Sequence, residues 1–193
     1  MGRVDNIIGG EIVTSRRQFL DPASIDEAIA EVAELAERSG VRVALIGGAA
    51  MALLGSDRMT SDVDFVCSAL PDHVQIRRAL SFGGVAASTS KGHPVDLVVR
   101  NDVYAALYEE ALESASNEPG LPVKVVRPEY LAAMKMAAGR DKDEADLKTL
   151  IRSGKVTFEG MAAVVQRHLG VYAVRELESL IAEVAWLASR ESE

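Results

Sequence analysis

Two aspartates set one residue apart, Asp62 and Asp64, are the residues in this chain best suited to chemistry. They open the apolar run Val63-Asp64-Phe65-Val66-Cys67, which reads as a strand. A strand alternates its side chains with a period of two, so both carboxylates leave from one face while Val63 and Phe65 enter the other. Two hard oxygen donors held that close suit a divalent cation such as Mg²⁺. Upstream, Gly47-Gly48 follows the apolar run Val41 to Ile46 and opens the apolar segment Ala49 to Leu54. Without Cβ atoms, these glycines let an anion such as phosphate approach backbone N–H groups at a helix start. Ser61 and Arg58, in the polar loop between the two motifs, are further candidates for phosphate contact.

A glycine pair, a spacer and then Asp-x-Asp resembles the nucleotidyltransferase superfamily related to DNA polymerase beta. The family spacer is about ten residues; here thirteen residues separate Gly48 from Asp62. The resemblance implies a third carboxylate on a later strand, and Asp96 in Val95-Asp96-Leu97 fits that place. A later segment strengthens the likeness. Leu131 and Lys135 make a Leu-x-x-x-Lys helix, and Arg140-Asp141-Lys142-Asp143-Glu144-Ala145-Asp146-Leu147 follows it, as in small bacterial nucleotidyltransferases of the abortive-infection and type IV toxin–antitoxin kind. The resemblance runs from about Val41 to Ile151.

What the resemblance implies is a metal-dependent enzyme moving a nucleoside monophosphate from an NTP to a hydroxyl acceptor, with loss of pyrophosphate. Asp62, Asp64 and Asp96 would be catalytic and hold Mg²⁺, or Mn²⁺ in its place, in a two-metal site. Gly47, Gly48, Ser61 and Lys135 would meet the nucleotide. Arg58, Asp143 and Asp146 are secondary candidates. The acceptor is an RNA end or a protein, with a small molecule of the aminoglycoside kind or a module without chemistry as alternatives, and an antitoxin is an expected partner. Plainer readings stand beside these: Lys135 as a lysine snorkelling from a helix packed on the core, and Asp143 and Asp146 as partners of Arg140, Lys142 or Lys148 or as caps at the helix start.

Other motifs compete poorly. Gly47-Gly48-Ala49-Ala50 lacks the Gly-x-Gly-x-x-Gly of a dinucleotide-binding turn, and the chain has no Gly-Lys-Ser/Thr of a P-loop. A haloacid-type phosphatase ends an apolar strand with its Asp-x-Asp, whereas Asp62 follows the polar Met59-Thr60-Ser61. His73, His93 and His168 fall in three separate elements and suggest no metal site.

The elements that must position these residues follow from the pattern. Ser24 with Glu27 reads as a capping box for a helix whose apolar residues run from Ile25 to Ala36, ended by Gly40. Val41 to Ile46 is a strand, Gly48 to Gly55 a short helix and Val63 to Cys67 a second strand. Pro71 with Ile76, Ala79 and Leu80 predicts a helix to about Phe82. Val85 to Ser90 and Val95 to Arg100 predict a hairpin about the turn Lys91 to Pro94. Val103 to Ser114 is a helix, Asn117 to Gly120 a loop and Val123 to Val126 a short strand. Four helices follow, Glu129 to Gly139, Lys142 to Arg152, Phe158 to Leu169 and Tyr172 to Ser189. The predicted class is α/β (α+β): a nucleotidyltransferase fold with a mixed central sheet flanked by helices, then a C-terminal helical region. The segments are an N-terminal arm over 1–22 with a short strand at Glu11 to Thr14, a core over 23–127 and the helices over 128–193.

Composition bounds the rest. With 193 residues, 48% of them hydrophobic, the chain can bury a real core. A net charge of −8 argues against binding nucleic acid by bulk electrostatics but allows a local basic cleft. Cys67 is the sole cysteine, so an internal disulfide is excluded, and its apolar setting predicts a buried small hydrophobe. No stretch reaches the ~18 apolar residues of a membrane span and no secretory signal opens the chain, so a cytoplasmic protein with no membrane partner is expected.

Overall fold

The first helix, α1 (Pro22–Ser39), starts three residues earlier than a capping box at Ser24 would place it. Asp21 is the cap, its carboxylate accepting from the Ser24 N–H at 2.9 Å, and Pro22 takes the first turn, where its missing N–H costs nothing. Glu27 is therefore free of capping and instead bonds Lys91 and His93 at 2.7 and 3.0 Å. Gly40 closes the helix in the left-handed conformation. These features come from a computed structural model that describes residues 18–191. The expected arm and its strand at Glu11 to Thr14 lie outside the described residues, apart from the last few residues of the arm.

The sheet has seven strands: β1 (Val43–Ile46), β2 (Val63–Cys67), β3 (Gln75–Ala79), β4 (Val85–Ser88), β5 (Pro94–Val98), β6 (Ser116–Asn117) and β7 (Lys124–Val125). Their spatial order is β3-β4-β5-β2-β1-β7-β6. The pairs β2–β5 and β1–β7 are parallel and the others antiparallel, so the sheet is mixed. Its centre is the apolar pair foreseen from the sequence. Leu45, Val63, Phe65 and Leu97 are almost wholly buried there, each large side chain contributing about 1.5–3 kcal/mol over its exposed state.

One predicted element is wrong in kind. Residues 75–79 form β3, fully exposed along its length, where the spacing of Ile76, Ala79 and Leu80 had pointed to a helix. Pairing with β4 decides the matter: Gln75 faces Ser88 and Ala79 faces Val85, with a register shift between Ile76 and Arg78. The turn closing this hairpin needs Gly84, whose φ is +89° and whose absent Cβ would fall 2.1 Å from the Leu97 carbonyl oxygen. The hairpin of β4 with β5 forms as predicted.

Among the described residues six helices accompany α1: α2 (Gly47–Leu53), α3 (Ala105–Ser114), α4 (Pro128–Ala138), α5 (Asp141–Arg152), α6 (Phe158–Leu169) and α7 (Val171–Glu191). Helix α4 is the hinge of the packing. It lies against α3, α5 and α6, and its Leu131, Ala132 and Ala133 are buried in the same apolar core as the sheet. That core runs without a break across position 127. Among the described residues, no helix is long and apolar enough to cross a membrane.

Candidate active site

The middle strands of the sheet bring Asp64 beside Asp96, with Asp62 just before the strand. Asp64 on β2 lies in register with Asp96 on β5, and across the other edge of β2 it faces Ile46, the last residue of β1. Residues in register on adjacent parallel strands project to the same face, with the strands about 4.8 Å apart. The hairpin inferred from sequence thus delivers Asp96 to the side of Asp64. Asp62 stands two residues before Asp64 and is half-buried. The Thr60 hydroxyl donates to the Asp62 carbonyl oxygen at 2.8 Å, which ties the loop to the strand entry.

Burial first, then the neighbouring charges of Asp62 and Asp96, push the Asp64 carboxyl up to about 7. Hard oxygen donors whose mutual repulsion a cation would relieve are a donor set that fits Mg²⁺. Among the described residues no three His, Cys, Asp or Glu side chains form a ready-made metal cage, so a cation would have to draw the carboxylates together.

The glycine pair serves these acids directly. Gly47 adopts φ +66°, and a Cβ there would sit 1.9 Å from Asp64 Oδ2. A Cβ on Gly48 would sit 2.7 Å from Thr60 Oγ1. The space that sequence reasoning reserved for a phosphate is, at Gly47, the space into which the Asp64 carboxylate packs. The need for glycine was legible; the occupant was not.

Behind the acids, Lys135, Asp143 and Asp146 are buried in a chain of ion pairs that Arg58 and Arg140 close from the partly exposed side. Arg58 clamps Asp146 with Nε and Nη2, both at 3.0 Å. Lys135 Nζ donates to Asp146 at 2.5 Å and to Asp143 at 3.0 Å, and Arg140 donates to Asp143 at 2.5 and 3.2 Å. Asp143 and Asp146 are 0% and 2% exposed, so their charges persist only because they are paired. Burial opposes ionisation of Asp143, yet the hydrogen bonds from Arg140 and Lys135 hold its pKa below the usual carboxylate range. The hydrogen bond to Asp146 raises that of Arg58. Lys135 neither snorkels nor stands ready as a lone charge: its ammonium is enclosed by two carboxylates. Of the partners considered for Asp143 and Asp146, Arg140 is found, whereas Lys148 turns to Glu144 and Glu183.

These residues line one cleft of 640 Å³, within the range of small-ligand sites. Gly47, Gly48, Arg58, Ser61, Asp62, Asp64, Asp96, Lys135 and Asp143 all reach it, while Asp146 supports it from behind. The sequence reading missed Arg78, Arg100 and Lys142 as lining cations and Phe82 and Tyr108 as lining rings. They come from β3, the turn after it, the segment after β5, α3 and the start of α5, and no periodicity links them. Their effect is a cleft richer in positive than negative side chains on a chain of net charge −8. Cys67 is buried as expected, which pushes its thiol up to about 12 and leaves it inert.

Residues 23–188 match the family described as "Nucleotidyltransferase of unknown function (DUF6036)". No curated protein matches the chain. Among solved structures, an antigenic nucleotidyltransferase-like protein from Paracoccidioides brasiliensis is similar at 20% identity, covering 86% of this chain and 95% of that one with a TM-score of 0.46. The match over 23–188 spans the sheet, the cleft and the helices behind it, and the chain belongs to this family of nucleotidyltransferases of unknown function.

Proposed function

We propose that this protein transfers a nucleoside monophosphate from an NTP to a hydroxyl on an RNA end or a protein, releasing pyrophosphate. The observation that carries the reading is the register of Asp64 with Asp96, which brings a third carboxylate beside the Asp62–Asp64 pair in a cationic cleft. Asp62, Asp64 and Asp96 would hold Mg²⁺, with Mn²⁺ as the alternative. When bound, the metal supplies Lewis acidity toward the phosphates and lowers the pKa of the attacking hydroxyl. Gly48 and Ser61 would face the triphosphate while Gly47 makes room for Asp64. Arg58, Lys135 and Arg140, three cations against the two carboxylates of Asp143 and Asp146, leave a net positive charge that draws it in. The hydroxyl oxygen forms a bond to the α-phosphorus, the bond from that phosphorus to the bridging oxygen of pyrophosphate breaks, and the hydroxyl proton leaves on the Asp96 side. A toxin role with an antitoxin partner rests on the resemblance of the segment from Leu131 to Leu147 alone.

Incubation with each labelled NTP, Mg²⁺ and total cellular RNA or protein tests the reading. Label should enter one acceptor class. Asp96→Asn should abolish transfer yet keep Mg²⁺–NTP binding, whereas Asp62→Asn and Asp64→Asn should damage both. Undiminished transfer by a folded Asp96→Asn protein would remove that residue from the chemistry. NTP binding without transfer to any acceptor, small aminoglycosides included, would favour a binding module.

A further inference from the structure

The cleft has an aromatic wall that the three acids do not use. The Arg100 guanidinium lies 4.8 Å from the centroid of the Phe82 ring, 5.2 Å from that of Tyr104 and 4.9 Å from that of Tyr108. Asp102 closes a two-pronged pair with it at 2.9 and 2.6 Å, and the Arg100 side chain is only 11% exposed. A cation so neutralised and covered is a weak grip for phosphate. Its work is to pin three rings in place. Three of the nine aromatic residues in the chain thus converge on one arginine, while the buried core holds Phe65 and Tyr130 and is otherwise non-aromatic. Phe82 and Tyr108 pack on the core with one part of each side chain and reach the cleft with another. Phe82, Arg100 and Tyr108 line the same cleft as Asp96, and Arg100 follows Asp96 by four residues.

We infer that the Phe82 and Tyr108 rings, held by Arg100, form a subsite on which a nucleobase stacks, on the Asp96 side of the cleft, an inference that rests on the nucleotidyl-transfer reading. Planar bases stack on aromatic rings and on guanidinium planes with little regard to sequence. The base is either that of the NTP or the terminal base of an acceptor strand, and the two sources share this chemistry.

Phe82→Leu and Tyr108→Leu keep apolar volume but remove the π-face, and Phe82→Trp keeps the face. Each protein is titrated with ATP, with inorganic tripolyphosphate and with a short single-stranded oligoribonucleotide, its fold being checked by thermal melting. The Leu variants should weaken the base-bearing ligand about tenfold, as expected for one lost stack. Tripolyphosphate should be unaffected and Phe82→Trp should bind like wild type. A loss confined to ATP assigns the subsite to the donor base, and one confined to the oligonucleotide assigns it to the acceptor. Unchanged affinity for both in folded Leu variants overturns the subsite, as does an equal loss for tripolyphosphate. If wild type binds the oligonucleotide but neither ATP nor tripolyphosphate, the transfer reading fails while the oligonucleotide arm still decides the subsite. If wild type binds none of the three, both are overturned.

Discussion

At Asp64 a backbone constraint and an electrostatic one meet in a single carboxyl group. Gly47 makes room for it, and burial beside Asp62 and Asp96 pushes it up to about 7. An unfolded aspartate titrates near ~3.9, so the folded protein holds this proton more tightly than the unfolded chain. The group's contribution to stability is then fully present below about pH 4 and is lost as pH rises through about 7. Asp64→Asn removes that titration. In metal-free buffer the melting temperature of the variant relative to wild type should rise between pH 5 and pH 8, each kcal/mol being worth about 2–4 °C in a chain this size. A relative melting temperature that is flat across that window would show that Asp64 is not held in its neutral form. The pairing of Asp62 with Asp64 was legible because a strand's period of two is local. That Asp64 fills the gap left by Gly47 was not, because sixteen residues of intervening chain hide the contact.

Most elements were read correctly from local signals, whereas β3 and the first turn of α1 were not. Helices α4 to α7 carry apolar residues at helical spacing with glycines after three of them, and all four appear. Strand β3 fails because β4 creates it; alone, its residues fit a helix equally well. The same limit hid the meaning of Lys135. Its helix was visible, but the enclosure of its ammonium depends on how α5 docks. Truncation therefore leaves two buried carboxylates short of a partner. Lys135→Ala should cost about 3–5 kcal/mol in urea unfolding, the range for one broken buried ion pair. A loss under ~1 kcal/mol would mean that water enters and solvates Asp143 and Asp146.

For the molecule as a whole, the sequence showed a core followed by helices but not that the two share a wall. Helix α4 gives Leu131, Met134 and Lys135 to the cleft and packs against α6, whose Met161 and Val165 are buried. Helix α7 in turn covers α6 with Leu177. Ending the chain after Ser153 should not yield a smaller working core. It should abolish the cooperative thermal transition, because the uncovered face of α4 belongs to the central core. A truncated protein that melts sharply and still binds NTP would make α6 and α7 an appendage. Whole-chain charge was equally deceptive: a balance of −8 conceals a cleft whose lining has more basic than acidic side chains, since acids on α1, α3 and α7 dominate the total.

The clamp of Arg58 on Asp146 joins residues 88 positions apart. A ribosome adding 5–20 residues per second needs roughly 4–18 s to supply the second partner after the first. Through that interval the nascent chain already carries Gly47, Asp62 and Asp64, yet the loop between them lacks the carboxylate that anchors it. Each new molecule therefore acquires its acids early and its finished cleft late, and the order is written into the chain by where Asp146 lies.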